Sequence, residues 1–139
     1  MVRRAVARKT STSTRSARPV RTRKGSDRLT WAPERRVAFL ADAVGGPVAL
    51  ARMLEVSPSQ PTRWRSGEES PGLVAAQRII GLDAVVAQLL LLWDPGIVPD
   101  WLTSANGHLD GARPIDVLKL RGPAEVLEAV AAEASGAYA

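Results

Sequence analysis

The sequence predicts an all-α protein, and three of its features support that prediction. Apolar residues recur at helical spacing in several segments between residues 33 and 136. Clusters of Pro, Gly, Asn, Asp and Ser separate those segments, at the places where helices would begin or end. A chain of 139 residues with 45% hydrophobic content suffices for one small domain, or for two very small ones that share a core.

The composition argues against several classes of enzyme. The chain has no cysteine, which excludes a disulfide framework, a thiolate zinc site and a cysteine nucleophile. Its one histidine, His108, has no further histidines with which to form a metal site. No nucleophile with an adjacent base and no phosphate-binding loop is visible. We therefore expect a protein that is not an enzyme and needs no cofactor or metal, with His108 in a solvated loop.

The start of the chain has no apolar segment of the kind that begins a secretory signal. The most apolar run, residues 84–93, is shorter than the ~20 residues that a membrane-spanning helix needs. These observations predict a cytoplasmic protein without a membrane partner.

Residues 1–30 form a strongly basic segment with ten Lys or Arg and one acidic residue, a net charge of +9. The rest of the chain carries a net charge of −4. Because apolar residues are few there, we expect residues 1–30 to be disordered. The segment could be a nucleic-acid-binding arm, a solvated tail or an overlong translation start, and targeting is a weaker fourth interpretation.

Three short helices are expected next. Pro33 begins the first, which ends at Gly45-Gly46, and the second follows over residues 48–54. Ser57 is a good N-cap for a third helix, from Pro58 to Arg65. Two short helices joined by a tight turn, the second one polar, are typical of a helix-turn-helix.

The run LARMLEVSPSQPTRWRSGEESP resembles the Xre/Cro-like helix-turn-helix, with matches at Leu50, Ala51, Leu54, Val56, Trp64, Gly67 and Pro71. In such a module Trp64 belongs to the core. The resemblance implies that DNA would be contacted by Ser59, Gln60, Thr62, Arg63 and Arg65. Pro61 departs from the pattern, because a proline at the fourth position of the expected helix would shorten or distort it. The same fold also serves as a protein-interaction module.

Residues 72–93 predict one long helix that is apolar on nearly all sides. We expect it to be the central helix, with its surplus apolar surface used for dimerisation or for a partner. Gly81 weakens it locally, and permits either a kink or close packing.

The last third of the chain carries a second motif. Residues 101–118 read WLTSANGHLDGARPIDVL, with expected turns at Asn106-Gly107 and Asp110-Gly111 and a helix from Pro114. A final helix with an apolar face runs to Gly136.

This second motif resembles the toxin-binding domain of the Xre/MbcA/ParS antitoxin family. The matching residues are Trp101, Asn106, Leu109, Gly111, Pro114, Asp116, Leu118, Gly136 and Tyr138. The resemblance covers about residues 35–139 and implies a helix-turn-helix (31–72) followed by a helical toxin-binding domain (73–139). The basic tail (1–30) is expected from its composition and departs from the family pattern.

The resemblance implies an antitoxin of a type II toxin–antitoxin pair. Such a protein forms a homodimer, and its C-terminal end occludes the active site of a RES-domain toxin. The toxin degrades NAD+. Many of these antitoxins also bind operator DNA. The implied toxin-binding residues are Trp101, Asn106, Arg113, Ser135, Gly136, Ala137, Tyr138 and Ala139. Tyr138 is the expected anchor, since a tyrosine combines a rigid ring with a hydrogen-bonding tip. The alternatives are a helix-turn-helix regulator that acts without a toxin and, least favoured, an enzyme.

Overall fold

A computed structural model describes residues 31–136, and within that range the chain is all-α, as predicted. Residues 1–30, which include the whole predicted basic tail, and residues 137–139 lie outside the described part. The described residues form seven α-helices and two short 3-10 helices, with no strand among them. The α-helices are α1 (Pro33–Val44), α2 (Pro47–Leu54), α3 (Gln60–Ser66), α4 (Leu73–Leu92), α5 (Val98–Thr103), α6 (Pro114–Arg121) and α7 (Ala124–Gly136).

One hydrophobic core connects these helices, and it is continuous from Val37 on α1 to Val130 on α7. Residues from Pro33 onward form one compact unit. Trp64 on α3 is almost completely buried in that core, as the sequence predicted for it. The core therefore crosses residue 72, where the sequence suggests a domain boundary; the boundary itself stays a prediction.

Helices α1 and α2 meet at 99°, across a turn in which Gly45 and Gly46 both have positive φ. Helix α3 begins later than expected. Its N-cap is Ser59 and not Ser57, so Pro61 falls in the first turn of the helix. The backbone N–H groups of the first turn have no intrahelical acceptor, so a proline there removes no helical hydrogen bond. Helix α3 is thus seven residues long and begins two residues later than expected, which agrees with the expected shortening, and the Pro61 ring is buried.

Helix α4 is a single 20-residue helix, as predicted to within one residue at each end. Its core face is completely buried, through Ile79, Leu82, Val85, Val86 and Leu89. The ring of Pro123 packs over Gly81, and a Cβ atom added there would lie 3.4 Å from that ring, at van der Waals contact.

By length and composition α4 could cross a membrane, so the apolar segment is longer than residues 84–93 suggested. The bent pair α1–α2 meets the same criterion only if it is counted as one span. One such helix is weak evidence for a span, since the core helix of a globular protein also meets the criterion.

The segment between α4 and α6 contains both 3-10 helices, Pro95–Ile97 and Gly107–Leu109, which flank α5. Of the two turns expected there, only the second has left-handed backbone. Asp110 and Gly111 have φ of 58° and 86°, whereas Asn106 is extended with φ of −126°. Asn106 begins the 3-10 helix as its N-cap and does not form a positive-φ turn.

Candidate partner-binding surfaces

One carboxylate on the last helix, that of Glu133, binds two side chains of the C-terminal motif. Its Oε2 accepts hydrogen bonds from Trp101 Nε1 and from Asn106 Nδ2, both at 2.8 Å. Trp101 lies on α5 and Asn106 begins the following 3-10 helix, so two separate elements are joined to α7 at one atom. We call these three residues the Glu133 clamp. It fixes where the C-terminal helix lies against the rest of the body.

Asn106 also holds its own turn together. Its Oδ1 accepts the N–H of His108 at 2.8 Å, and its backbone oxygen accepts from Leu109 and Gly111 at 3.0 and 2.9 Å. Asn106 is the one buried polar residue among those described, and both its Nδ2 and its Oδ1 form hydrogen bonds. A buried amide with this many partners stabilises the fold, because the loss of any partner would leave a buried polar atom without a hydrogen bond.

A second polar cluster joins the end of α2 to α6. Lys119 Nζ lies 2.8 Å from Glu55 Oε2 and 3.6 Å from Asp116 Oδ1. The hydrogen bond and charge of Lys119 lower the pKa of Glu55. Arg113 binds Asp116 with both ends of its guanidinium, at 2.7 and 2.9 Å, which lowers the pKa of Asp116 and raises that of Arg113. We call these four residues the α2–α6 ion cluster.

The residues expected to bind a toxin therefore fall into three groups. Trp101 and Asn106 belong to the Glu133 clamp, and Arg113 is an exposed member of the α2–α6 ion cluster. Ser135 and Gly136 are exposed in the last turn of α7. The other three, Ala137, Tyr138 and Ala139, lie outside the described residues. Of the five expected toxin-binding residues that the structure describes, Arg113, Ser135 and Gly136 are exposed.

The residues expected to bind DNA lie together on α3 and its N-cap. Ser59, Thr62 and Arg65 are exposed, and Gln60 is partly buried. Arg63 is partly buried and its guanidinium lies 3.7 Å from the carboxylate of Glu69, in the loop that follows α3. A carboxylate this close would compete with a base or a phosphate for Arg63.

His108 is exposed and lines a shallow cleft of about 260 Å³ between α6 and α7, together with Asp110, Arg121 and Glu125. Within residues 31–136, no three His, Asp or Glu side chains are grouped so that they could hold a metal ion.

Glu133, Glu55 and Lys119 were not singled out from the sequence. Glu133 is 27 residues from Asn106 and 32 from Trp101, a separation at which sequence periodicity carries no information. One signal was available, because Glu133 interrupts the small apolar residues of the last helix.

The described residues thus define an all-α protein in which a short helix pair, a long central helix and a clamped C-terminal helix share one core. Scans against protein-family models and against curated proteins find no match. A search of solved structures matches a chain of the crystal structure of the M. tuberculosis MbcT–MbcA toxin–antitoxin complex, with a TM-score of 0.64. The match has 24% sequence identity and covers 74% of this chain and 94% of that chain. The predicted resemblance is therefore confirmed at the level of the fold.

Proposed function

We propose that this protein is an antitoxin that neutralises a RES-domain, NAD+-degrading toxin. The single observation that carries the proposal is the fold shared with a chain of a toxin–antitoxin complex, at nearly full coverage of that chain. In this proposal the protein acts as a homodimer in the cytoplasm and occludes the toxin active site with its C-terminal end.

The Glu133 clamp supports a role for the C-terminal end. A plug that enters an active site binds best when its base is already ordered, because less conformational entropy is then lost on binding. The clamp supplies that order three residues before Gly136, the last described residue. Residues 137–139 would then extend from a fixed base, and Tyr138 would be their anchor.

The test is co-expression with a RES-domain toxin, with cellular NAD+ as the readout. Removing residues 137–139 is expected to leave the helical content unchanged and to abolish protection of the NAD+ pool. Tyr138→Ala should weaken protection, and Ala139→Ser is the matched control. Full protection by the truncated chain would contradict the plug. No complex between the full chain and the toxin would contradict the antitoxin assignment.

Operator binding is a second candidate function, alone or together with neutralisation. The exposure of Thr62 and Arg65 on one short helix supports it, since these side chains can reach a DNA groove without unfolding anything. Arg65→Ala is expected to abolish a sequence-specific shift of the upstream DNA. Arg52→Ala, exposed on the preceding helix, is the control. Binding that is indifferent to sequence and vanishes in moderate salt would contradict specific operator recognition.

A further inference from the structure

A cleft of about 410 Å³ lies between the first half of α4 and the turn that joins α6 to α7. Val74 and Arg78 line it from α4, and Leu120 and Arg121 line it from α6. Three of its ten lining residues are basic and none is acidic. The chain outside residues 1–30 carries a net charge of −4. This cleft, which we call the α4–α6 cleft, is therefore a cationic site on an acidic body.

Arg78 is the basic residue of the cleft that forms no ion pair within the described residues. Its guanidinium is partly buried, and Nη1 donates to the backbone oxygen of Leu54 at 3.2 Å. Its Nε is buried and has no hydrogen-bond acceptor in the described part of the chain. Lys119 and Arg121, by contrast, each bind a carboxylate. Because a buried donor without an acceptor is unfavourable, a ligand that supplies an acceptor to Arg78 gains free energy.

Two aliphatic side chains of the cleft lie in water. Leu120 on α6 is 82% exposed, more than any other large apolar side chain among the described residues. Val74 on α4 is 60% exposed. Since they belong to the two different helices that line the cleft, an apolar group bound between those helices could contact both side chains and remove them from water.

This combination of groups defines the chemistry of a ligand. The planar guanidinium of Arg78 suits a carboxylate or a phosphate. A phosphate is polar on all sides and would leave Val74 and Leu120 in water. A peptide with an acidic residue next to an aliphatic one satisfies both requirements, and the Gln77 amide in the cleft can donate to and accept from its backbone. Residues 1–30 are a poor occupant, because their net charge of +9 is repelled by the cleft.

We propose that the α4–α6 cleft binds a segment of a partner protein in which an Asp or Glu adjoins an aliphatic residue. Arg78 pairs with the carboxylate, and Val74 and Leu120 cover the aliphatic side chain. The site goes beyond the proposed function, because neither the C-terminal end nor α3 contributes to it. It gives the protein a second protein-binding surface, next to the turn between α6 and α7.

The test is an NMR titration of the isotope-labelled full chain with a short peptide in which Asp and Leu alternate. The amide signals of Gly81 and Gly122, which line the cleft, are expected to shift and to saturate, with a dissociation constant on the order of 1 mM or below. Gly45 and Gly46, in the turn between α1 and α2, are the reference signals. A peptide in which Asp and Ser alternate measures the binding that comes from charge alone, including that of residues 1–30.

Two variants test the two parts of the site. Leu120→Ser should weaken binding of the Asp-Leu peptide about tenfold, because the aliphatic contact is lost. Val48→Ser is its matched control, since Val48 is a 53% exposed apolar residue on α2. Arg78→Gln should also weaken binding about tenfold or more, because a charged hydrogen bond is lost. Arg52→Gln, at an exposed arginine on α2, is the matched control.

Circular dichroism checks that each variant keeps the helical content of the parent. Should Arg78→Gln lose helicity, Arg78→Lys replaces it. Lysine keeps the charge but lacks the planar fork, so binding should still weaken several-fold. Unchanged binding by the folded variant at this position would contradict the pairing of Arg78 with the carboxylate.

Four results would overturn the proposal. One is shifts of Gly81 and Gly122 no larger than those of the reference glycines. Another is equal binding of the Asp-Ser peptide or of inorganic phosphate, which would make the cleft a site for simple anions. The third is equal affinity of Leu120→Ser and Val48→Ser for the Asp-Leu peptide. The fourth is a Leu120→Ser chain that sediments as a smaller species than the parent, which would show that a second copy covers the cleft.

The proposed function fails separately from this inference. Loss of NAD+ protection with unchanged binding of the Asp-Leu peptide would contradict the antitoxin role and leave the cleft in place. Full NAD+ protection by a parent chain that does not bind the peptide would overturn the cleft alone.

Discussion

At the scale of single residues, the C-terminal motif is held by one carboxylate. Trp101 and Asn106 would each suit a binding surface by residue type, yet both donate to Glu133. Their side-chain hydrogen-bonding groups are therefore engaged within the protein. Residues that resemble a binding surface in the sequence can thus support a neighbouring surface, here the end of α7.

Replacement of Glu133 by Ala is expected to lower the free energy of unfolding by about 1–3 kcal/mol. The reason is that the Asn106 amide would remain buried with one of its partners removed. Urea denaturation measures the change. Glu128→Ala, an exposed carboxylate on the same helix, is the control and should change stability by less than about 0.5 kcal/mol. Equal effects of the two substitutions would contradict the clamp.

At the scale of elements, the junctions between helices depend on backbone conformations that the sequence only partly discloses. Pro61 is tolerated because α3 begins at Gln60, one residue before it. The turn from α6 to α7 depends on Gly122, whose φ of 89° and ψ of −174° lie in a region that is essentially restricted to glycine. Close packing of α4 against that turn then uses Gly81 and Pro123.

Gly122→Ala is expected to cost about 1–3 kcal/mol of stability through the backbone alone. An added Cβ atom would meet nothing within 4 Å, so no steric clash contributes. Gly96→Ala is the matched control, because Gly96 has equally open surroundings and lacks a positive φ. In thermal unfolding, the Gly122→Ala protein should therefore unfold at a lower temperature than the Gly96→Ala protein. A Gly122→Ala protein as stable as the control would show that the turn can adopt another conformation.

The α2–α6 ion cluster predicts a loss of stability in acid. The folded state lowers the pKa of Glu55 from 4.5 and that of Asp116 from 3.8. Groups with a lowered pKa stabilise the fold above their unfolded pKa, and this contribution is lost as the pH falls through the folded value. Thermal unfolding measured between about pH 6 and about pH 3 should show the loss of stability beginning near pH 4.5 and continuing below pH 3.8.

The double variant Glu55→Gln/Asp116→Asn is the comparison for that titration. It should be less stable than the parent near neutral pH and should show a weaker dependence on pH in the acidic range. Glu55 is largely exposed and Asp116 is partly exposed, so the expected difference in stability is small. Identical pH profiles of parent and double variant would contradict a contribution from the cluster.

At the scale of the whole molecule, charge is divided between a basic segment and an acidic body. Residues 1–30 carry a net charge of +9 and the remainder carries −4. Non-specific binding to nucleic acid depends on cations that displace counterions from phosphates. Most of any such binding should therefore come from residues 1–30, whereas specific contacts would come from α3.

Removal of residues 1–30 is expected to weaken binding to random-sequence DNA by at least about tenfold at low salt and to flatten its salt dependence. Fluorescence anisotropy over a range of salt concentrations measures both quantities. The control is a full-length chain in which Arg35 and Arg52, exposed on α1 and α2, are replaced by Ala. If the salt dependence is unchanged after removal of residues 1–30, non-specific binding comes from the rest of the chain.

The sequence by itself determined the helical class, the order of the helices and the central position of α4, because these depend on periodicity and on the residues that begin and end helices. Tertiary structure decided which apolar residues are buried. Leu73 and Ile80 are as apolar as the buried residues of α4, yet they face water. It also decided that Trp101 and Asn106 meet Glu133. The physical reason is the same in both cases: local pattern specifies an element, whereas only packing specifies which of its faces is covered and which distant residue lies opposite.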